Sequence, residues 1–317
     1  MRGVRSYTSV LRWLVIVIVG SLLVSPLLGQ AQKVEVRLIN NEIFVQDASG
    51  TVRQLTHDGE PKENITVSPA LHKITYNRPW TAYGTEPRPP VFVVLDLQTG
   101  EVLKEVQVSW ASRFISKVEW INERFLMVVG EFLVILDTEE GKQTHLLHGG
   151  RFALSPDHRK IVFLKGRLPL YGYKPPEFES DEIMLAIVDQ RPVVEGINSM
   201  ARAIYPELRP WGDREDRRYN DLSERHCVKS QFSWSLDTRQ VAFVEEHQRA
   251  FWLVALDIDV GEAEVKVIPR RFKLAEELAE VTGLEWVSKG RAIRVVTKRA
   301  SYVVDWGRGT VQLLPSK

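Results

Sequence analysis

The chain has 317 residues and a near-balanced charge, 42 Lys and Arg against 41 Asp and Glu, for a net of +1. Residues 1–31 hold three arginines and no acid, so without them the balance moves to −2, which argues against a general affinity for nucleic acid. Cys227 is the only cysteine, so no internal disulfide can form and stability must come from packing.

Arg2, Arg5 and Arg12 give a basic start, and 14–24 is an apolar run. Gly29-Gln30-Ala31 then fits a small-x-small cleavage site. The run falls short of the ~20 residues that span a bilayer comfortably. The expectation is an export signal over 1–31, cleaved after Ala31, and a mature protein at 32–317 with no integral membrane span; the alternative is that 1–31 stays on as a membrane anchor.

From there the chain repeats itself. Six times an apolar strand runs into an aspartate, at Asp47, Asp96, Asp137, Asp189, Asp257 and Asp305. The gaps are 49, 41, 52, 68 and 48 residues. A period of roughly 40–50 residues built from short strands reads as propeller blades. Each aspartate opens a tight turn, often closed by a glycine, as in Asp47-Ala48-Ser49-Gly50. Its carboxylate is expected to accept backbone N–H bonds of that turn, not to act as a catalytic acid.

Upstream lies a second hairpin. Phe152-Ala153-Leu154-Ser155-Pro156-Asp157-His158-Arg159-Lys160-Ile161-Val162-Phe163 is the cleanest copy, and Phe232-Ser233-Trp234-Ser235-Leu236-Asp237 opens another. Each unit is therefore four antiparallel strands, a to d. Blade 1 begins at 34–39 with strand b and lacks an obvious strand a. Blades 2 to 5 are expected near 64–108, 115–148, 151–197 and 230–268, and blade 6 at 283–314. The predicted fold is all-β: one six-bladed β-propeller of four-stranded antiparallel blades, with the first blade incomplete.

The combination of the Ser-Pro-Asp hairpin with the Asp-x-x-Gly turn resembles the propeller repeat of the TolB family. The resemblance covers essentially the whole mature chain. It implies a propeller and, by family analogy, a periplasmic, envelope-associated role. TolB proteins also carry an α/β domain ahead of the propeller, for which 32–317 leaves no room.

Three segments break the repeat. Residues 77–90 and 165–176 lie between strands b and c of blades 2 and 4, and 198–229 is read as an insertion between blades 4 and 5. A short amphipathic helix is expected over 273–281, linking blades 5 and 6. In an antiparallel blade the b–c and d–a connections share one end. All the decoration is therefore expected on one face. Long loops on a rigid scaffold are where function concentrates. Trp80, Tyr83, Tyr171, Tyr173 and Trp211, with Arg214 at the rim, are the candidate partner-binding residues, because Trp, Tyr and Arg dominate contact energies at interfaces.

No nucleophile elbow is present, and none of the seven histidines has metal-ligand spacing. The expected function is a non-enzymatic, periplasmic or secreted scaffold, monomeric and without cofactor, that binds an envelope protein or peptide. The alternative is a propeller hydrolase or lyase, for which His57, His148 or acidic side chains would converge in the central funnel.

Overall fold

The computed structural model describes residues 34–79, 89–108, 115–130, 132–146, 148–165, 182–188, 200–206, 226–261 and 264–315. These residues form six antiparallel sheets in chain order, the six blades of a β-propeller. The chain divides into two compact units, 1–109 and 110–317.

The first unit holds blades 1 and 2. Blade 1 has three strands, β1 (Glu35–Ile39), β2 (Glu42–Gln46) and β3 (Val52–Gln54). They take the b, c and d places, as the sequence predicts. Blade 2 is complete: β4 (Glu63–Val67), β5 (Lys73–Arg78), β6 (Val91–Asp96) and β7 (Val102–Gln107). Ile43, Val45 and Leu55 of blade 1 pack against Ile74, Tyr76, Val93 and Leu95 of blade 2.

The second unit holds blades 3 to 6. Blade 3 comprises β8 (Lys117–Trp120), β9 (Phe125–Val129), β10 (Leu133–Asp137) and β11 (Gln143–Leu146). Blade 4 comprises β12 (His148–Leu154), β13 (Lys160–Lys165), β14 (Ile183–Ile187) and β15 (Ala201–Tyr205). Blade 5 has a first strand in two pieces, β16 (Cys227–Val228) and β17 (Ser233–Trp234), both paired with β18 (Gln240–His247). It continues through β19 (Ala250–Val260) and β20 (Val265–Ala275). Blade 6 is β21 (Val281–Val287), β22 (Ala292–Thr297), β23 (Ala300–Asp305) and β24 (Thr310–Pro315).

The strand sequences explain their places. Strands b and c of blades 4 and 5 are apolar on both faces, because a neighbouring blade covers each side. Within blade 5, Val241 and Phe243 face a core shared with Leu164, Leu185 and Tyr205 of blade 4. The alternate residues Ala242 and Val244 face Ile293 and Val295 of blade 6. This is the two-residue period of a strand, filled on both sides.

The a–b hairpins of blades 2, 4 and 5 share one clamp. Ser68, Ser155 and Ser235 are buried. Each hydroxyl accepts the N–H five residues on: Lys73 at 3.0 Å, Lys160 at 2.9 Å and Gln240 at 2.9 Å. The residue two before the return strand takes the left-handed conformation: Leu71, His158 and Thr238 have φ of 59°, 58° and 62°. The serine is thus the common element, which is why blade 2 keeps the turn without the aspartate. In the other two blades Asp157 and Asp237 add a bond from the serine hydroxyl.

The c–d turns are capped by the repeat aspartates. Asp47 Oδ1 accepts from the N–H of Ser49 and Thr51, Asp96 Oδ1 from Gln98 and Thr99, Asp137 Oδ1 from Glu139 and Glu140, and Asp305 Oδ1 from Arg308. For Asp96 the Thr99 N–H is the largest influence holding its carboxyl below the usual range. Asp189 lies outside the described residues.

Four sequence expectations need correction. Residues 198–229 are not wholly an insertion: they begin with β15, the outer strand of blade 4, and contain β16. Asp257 caps no turn, because β19 runs on to Val260 and the hairpin closes between Gly261 and Glu264. No helix forms over 273–281. β20 stays extended to Ala275 by pairing along the whole of β19, and β21 starts at Val281. His148, which the expected bounds put at the end of blade 3, is the first residue of β12 in blade 4.

Candidate functional site

The six residues singled out for partner binding, Trp80, Tyr83, Tyr171, Tyr173, Trp211 and Arg214, lie outside the described residues. The structure does define the ends from which their segments leave. In each case a charged clamp sits there.

Residues 80–88 connect strands b and c of blade 2, leaving just after β5. Arg78, the last residue of β5, donates from its Nη2 to Glu105 Oε1 of β7 at 3.0 Å. Its Nε lies 3.0 Å from Glu60 Oε2. One strand earlier in the same end, Lys62 is fully buried. Its ammonium donates to Asn41 O at 2.9 Å, to Glu60 O at 3.0 Å and to Asp58 Oδ1. It also sits 5.4 Å from the Tyr76 ring centre. Burial, reinforced by the Asp58 charge, pushes the Tyr76 hydroxyl up to about 12.

Residues 166–181 connect strands b and c of blade 4. Lys165 and Glu182 bracket them. The two pair through side chains at 2.5 Å, and Lys165 N–H donates to Glu182 O at 2.9 Å. His148 lies opposite Lys165 in the sheet. One ring nitrogen meets Gly130 O at 3.3 Å and the other accepts from Gly150 N–H at 3.1 Å. Burial pushes this imidazole's pKa down, favouring the neutral ring.

Residues 207–225 connect blade 4 to blade 5, between Tyr205-Pro206 and His226. Here the clamp is largest. Glu245 is fully buried near the end of β18, in line with Val241 and Phe243 on the side facing blade 4. Tyr205 Oη donates to its carboxylate at 3.0 Å, Arg271 Nε at 3.0 Å, and His226 Nδ1 lies 2.9 Å away. A second Arg271 nitrogen is 2.8 Å from the same Oε1. Outside this shell, His247 stacks on His226 with ring centres 3.9 Å apart, and the Arg271 guanidinium lies 4.6 Å from the Trp252 ring centre. Burial and the Glu245 charge push the Tyr205 hydroxyl far above its ordinary value.

These clamps are chemically occupied. Glu245 accepts from three side chains, and both His148 nitrogens are engaged by backbone groups. The geometry suits fixing the ends of loops. His57 is exposed in the first unit, and His148 belongs to the second. Among the described residues, no group of three or more His, Cys, Asp and Glu could hold a metal ion. No helix among them is long and apolar enough to cross a membrane.

Sequence reasoning missed Glu245, Arg271, Lys62 and the Lys165–Glu182 pair. One signal was available: Glu245 is an acid in phase with the buried side of an otherwise apolar strand, Val241-Ala242-Phe243-Val244-Glu245. Such a residue requires a buried partner.

No protein-family model matches the sequence, and no curated protein does either. Solved structures do resemble the fold. A eukaryotic initiation factor aligns with a TM-score of 0.55 at 12% identity over 89% of this chain. The alignment covers 63% of that protein, so this chain spans less than two thirds of its length. TolB from Acinetobacter baumannii aligns at 0.33 and 13% identity, over 87% of this chain and 60% of that one. A periplasmic gluconolactonase of Pseudomonas aeruginosa aligns at 0.40 and 14%, over 91% and 81%. At these identities the likeness is one of propeller fold. It is no finer for TolB than for the others.

Proposed function

We propose that the mature protein is an exported, non-enzymatic propeller that binds an envelope protein or peptide through its b–c and d–a connections. The observation that carries this reading is the asymmetry within the blades. Where a–b and c–d turns are described, most are short and locked by their own serines and aspartates. The segments rich in Trp, Tyr and Pro leave from the other end of their blades, and charged clamps fix their roots. A rigid base under an aromatic loop lowers the entropy cost of ordering that loop on a partner.

In this reading residues 1–31 are a leader cleaved after Ala31, and the protein acts as a monomer in the periplasm or outside the cell. Trp80, Tyr83, Tyr171, Tyr173 and Trp211 supply contact area, with Arg214 at the rim. The TolB-like role belongs to this proposal. So does the absence of an active site, for which the saturated state of Glu245 and His148 is the support.

The partner would first be captured from envelope extract on the mature protein. Trp80→Ala and Tyr173→Ala should then each weaken its binding by roughly 1–4 kcal/mol. Thermal melts should change little, since in this reading both side chains serve contact with the partner and not the packing between blades. Unchanged affinity with a lowered melting temperature would show that these aromatics pack the loops, and the site assignment would fail.

A further inference from the structure

We propose that a trough between the outer strands of blades 4 and 5 takes an extended peptide bearing a carboxylate, added as a strand to the edge of β15. The trough holds about 430 Å³, within the range of ligand sites. One wall is Arg202 to Pro206 of β15 and its exit. The other is Val265, Val267 and Pro269 of β20.

Its origin is the long fifth blade. β19 and β20 have 11 residues each, because the hairpin does not turn at Asp257. β15 has five. The extra pairs Ile258–Val267 and Val260–Val265 extend blade 5 past the level of Asp257, and Val265 and Val267 are among them. These valines pack on the core shared with blade 4 and remain partly exposed.

Two features define the occupant. β15 is outermost in its sheet and pairs only with β14 among the described residues. Its far edge presents N–H and C=O groups to an added strand. The second feature is charge. Arg202 is exposed, shares the blade-5 side of β15 with Ile204, and lines the trough. No acid among the described residues pairs with it. Leu256 and Ile258 face blade 4, so Asp257 and Asp259 point to the other side of the sheet. Glu245, at the upper end, is already held by Arg271, Tyr205 and His226. Among the described residues, the unmatched charge in the trough is therefore positive. A strand added to β15 would set a carboxylate beside Arg202 and its next same-side residues on Val265, Val267 and Pro269.

This goes beyond the loop reading and is separable from it, since the residues that define the trough belong to β15 with Pro206 and to β20, not to the segments 80–88, 166–181 and 207–225. The probe is a fluorescein-labelled, amidated peptide, Thr-Glu-Thr-Val-Thr-Val-Thr, titrated against the full mature chain by anisotropy. Saturable binding is expected. Arg202→Glu should weaken it about tenfold or more and favour the peptide with Lys in place of Glu. N-methylation of alternate peptide amides should abolish binding, which a purely electrostatic contact would not require. Arg202→Gln, with a melt for each variant, covers the case in which Arg202→Glu fails to fold. Binding that is absent up to about 1 mM, or unchanged by loss of Arg202, would overturn the proposal. Shortening 80–88 should leave the peptide affinity intact even if it abolishes envelope-partner capture.

Discussion

Replacing Arg271 by methionine should destabilise the protein by about 3–5 kcal/mol, and a second change, Glu245→Gln, should recover a large part of that loss. Arg271 supplies the one full positive charge held against the Glu245 carboxylate among the described residues, through two nitrogens. Methionine keeps most of the aliphatic stem but removes the charge and the guanidinium that lies over Trp252. The carboxylate then stays fully buried, with the Tyr205 hydroxyl and the His226 ring as its remaining donors. Glutamine fills the same space without the charge and can still accept from Tyr205. The order matters more than the size. If the pair were merely a surface contact, Arg271→Met would cost under ~1 kcal/mol and the second change would add its own penalty. Thermal melts of the two single variants and the double variant decide it, with a drop on the order of 10 °C expected for Arg271→Met.

Lys62→Ala should also cost about 3–5 kcal/mol, in the first unit. The ammonium has no exposed surface, and its three donors meet Asn41 O, Glu60 O and Asp58. Asn41 belongs to the β1–β2 turn and Lys62 to the entry of blade 2. The side chain therefore ties a blade of three strands to its complete neighbour. Alanine would leave a cavity beside Tyr76 and two carbonyls without this donor. Lys62→Met keeps the volume and should recover only the cavity part of the loss. Equal melting temperatures for Lys62→Met and wild type would show that the charge contributes nothing, contrary to this account.

The fold was legible where the repeat writes chemistry into a short stretch. Ser155-Pro156-Asp157 and Asp96-Leu97-Gln98-Thr99-Gly100 each close a turn within six residues, so spacing alone placed those hairpins. β15 was not legible. Ala201-Arg202-Ala203-Ile204-Tyr205 has no aspartate or glycine turn beside it, and its strand identity comes from pairing with Ile183–Ala186. The leucine-, alanine- and glutamate-rich 273–281 looked helical by composition, but the ladder with β19 overrides propensity through Ala275. The loop clamps were invisible for a different reason. Glu245 meets partners 40, 19 and 26 residues away, and no local pattern encodes such a pairing. The aromatic loops themselves stood out by composition, and the structure adds the anchors at their roots.

The most direct test of the account is site-specific photo-crosslinking in the native envelope. A photoreactive residue would replace Trp80, Tyr173 or Trp211 in the b–c and d–a segments, and Thr99 or Arg159 in the clamped turns at the opposite ends of blades 2 and 4. The account predicts a discrete protein adduct from the three loop positions and none from the two turn positions. Adducts from Thr99 and Arg159 with none from the loops would place the partner on the wrong end of the blades and contradict it.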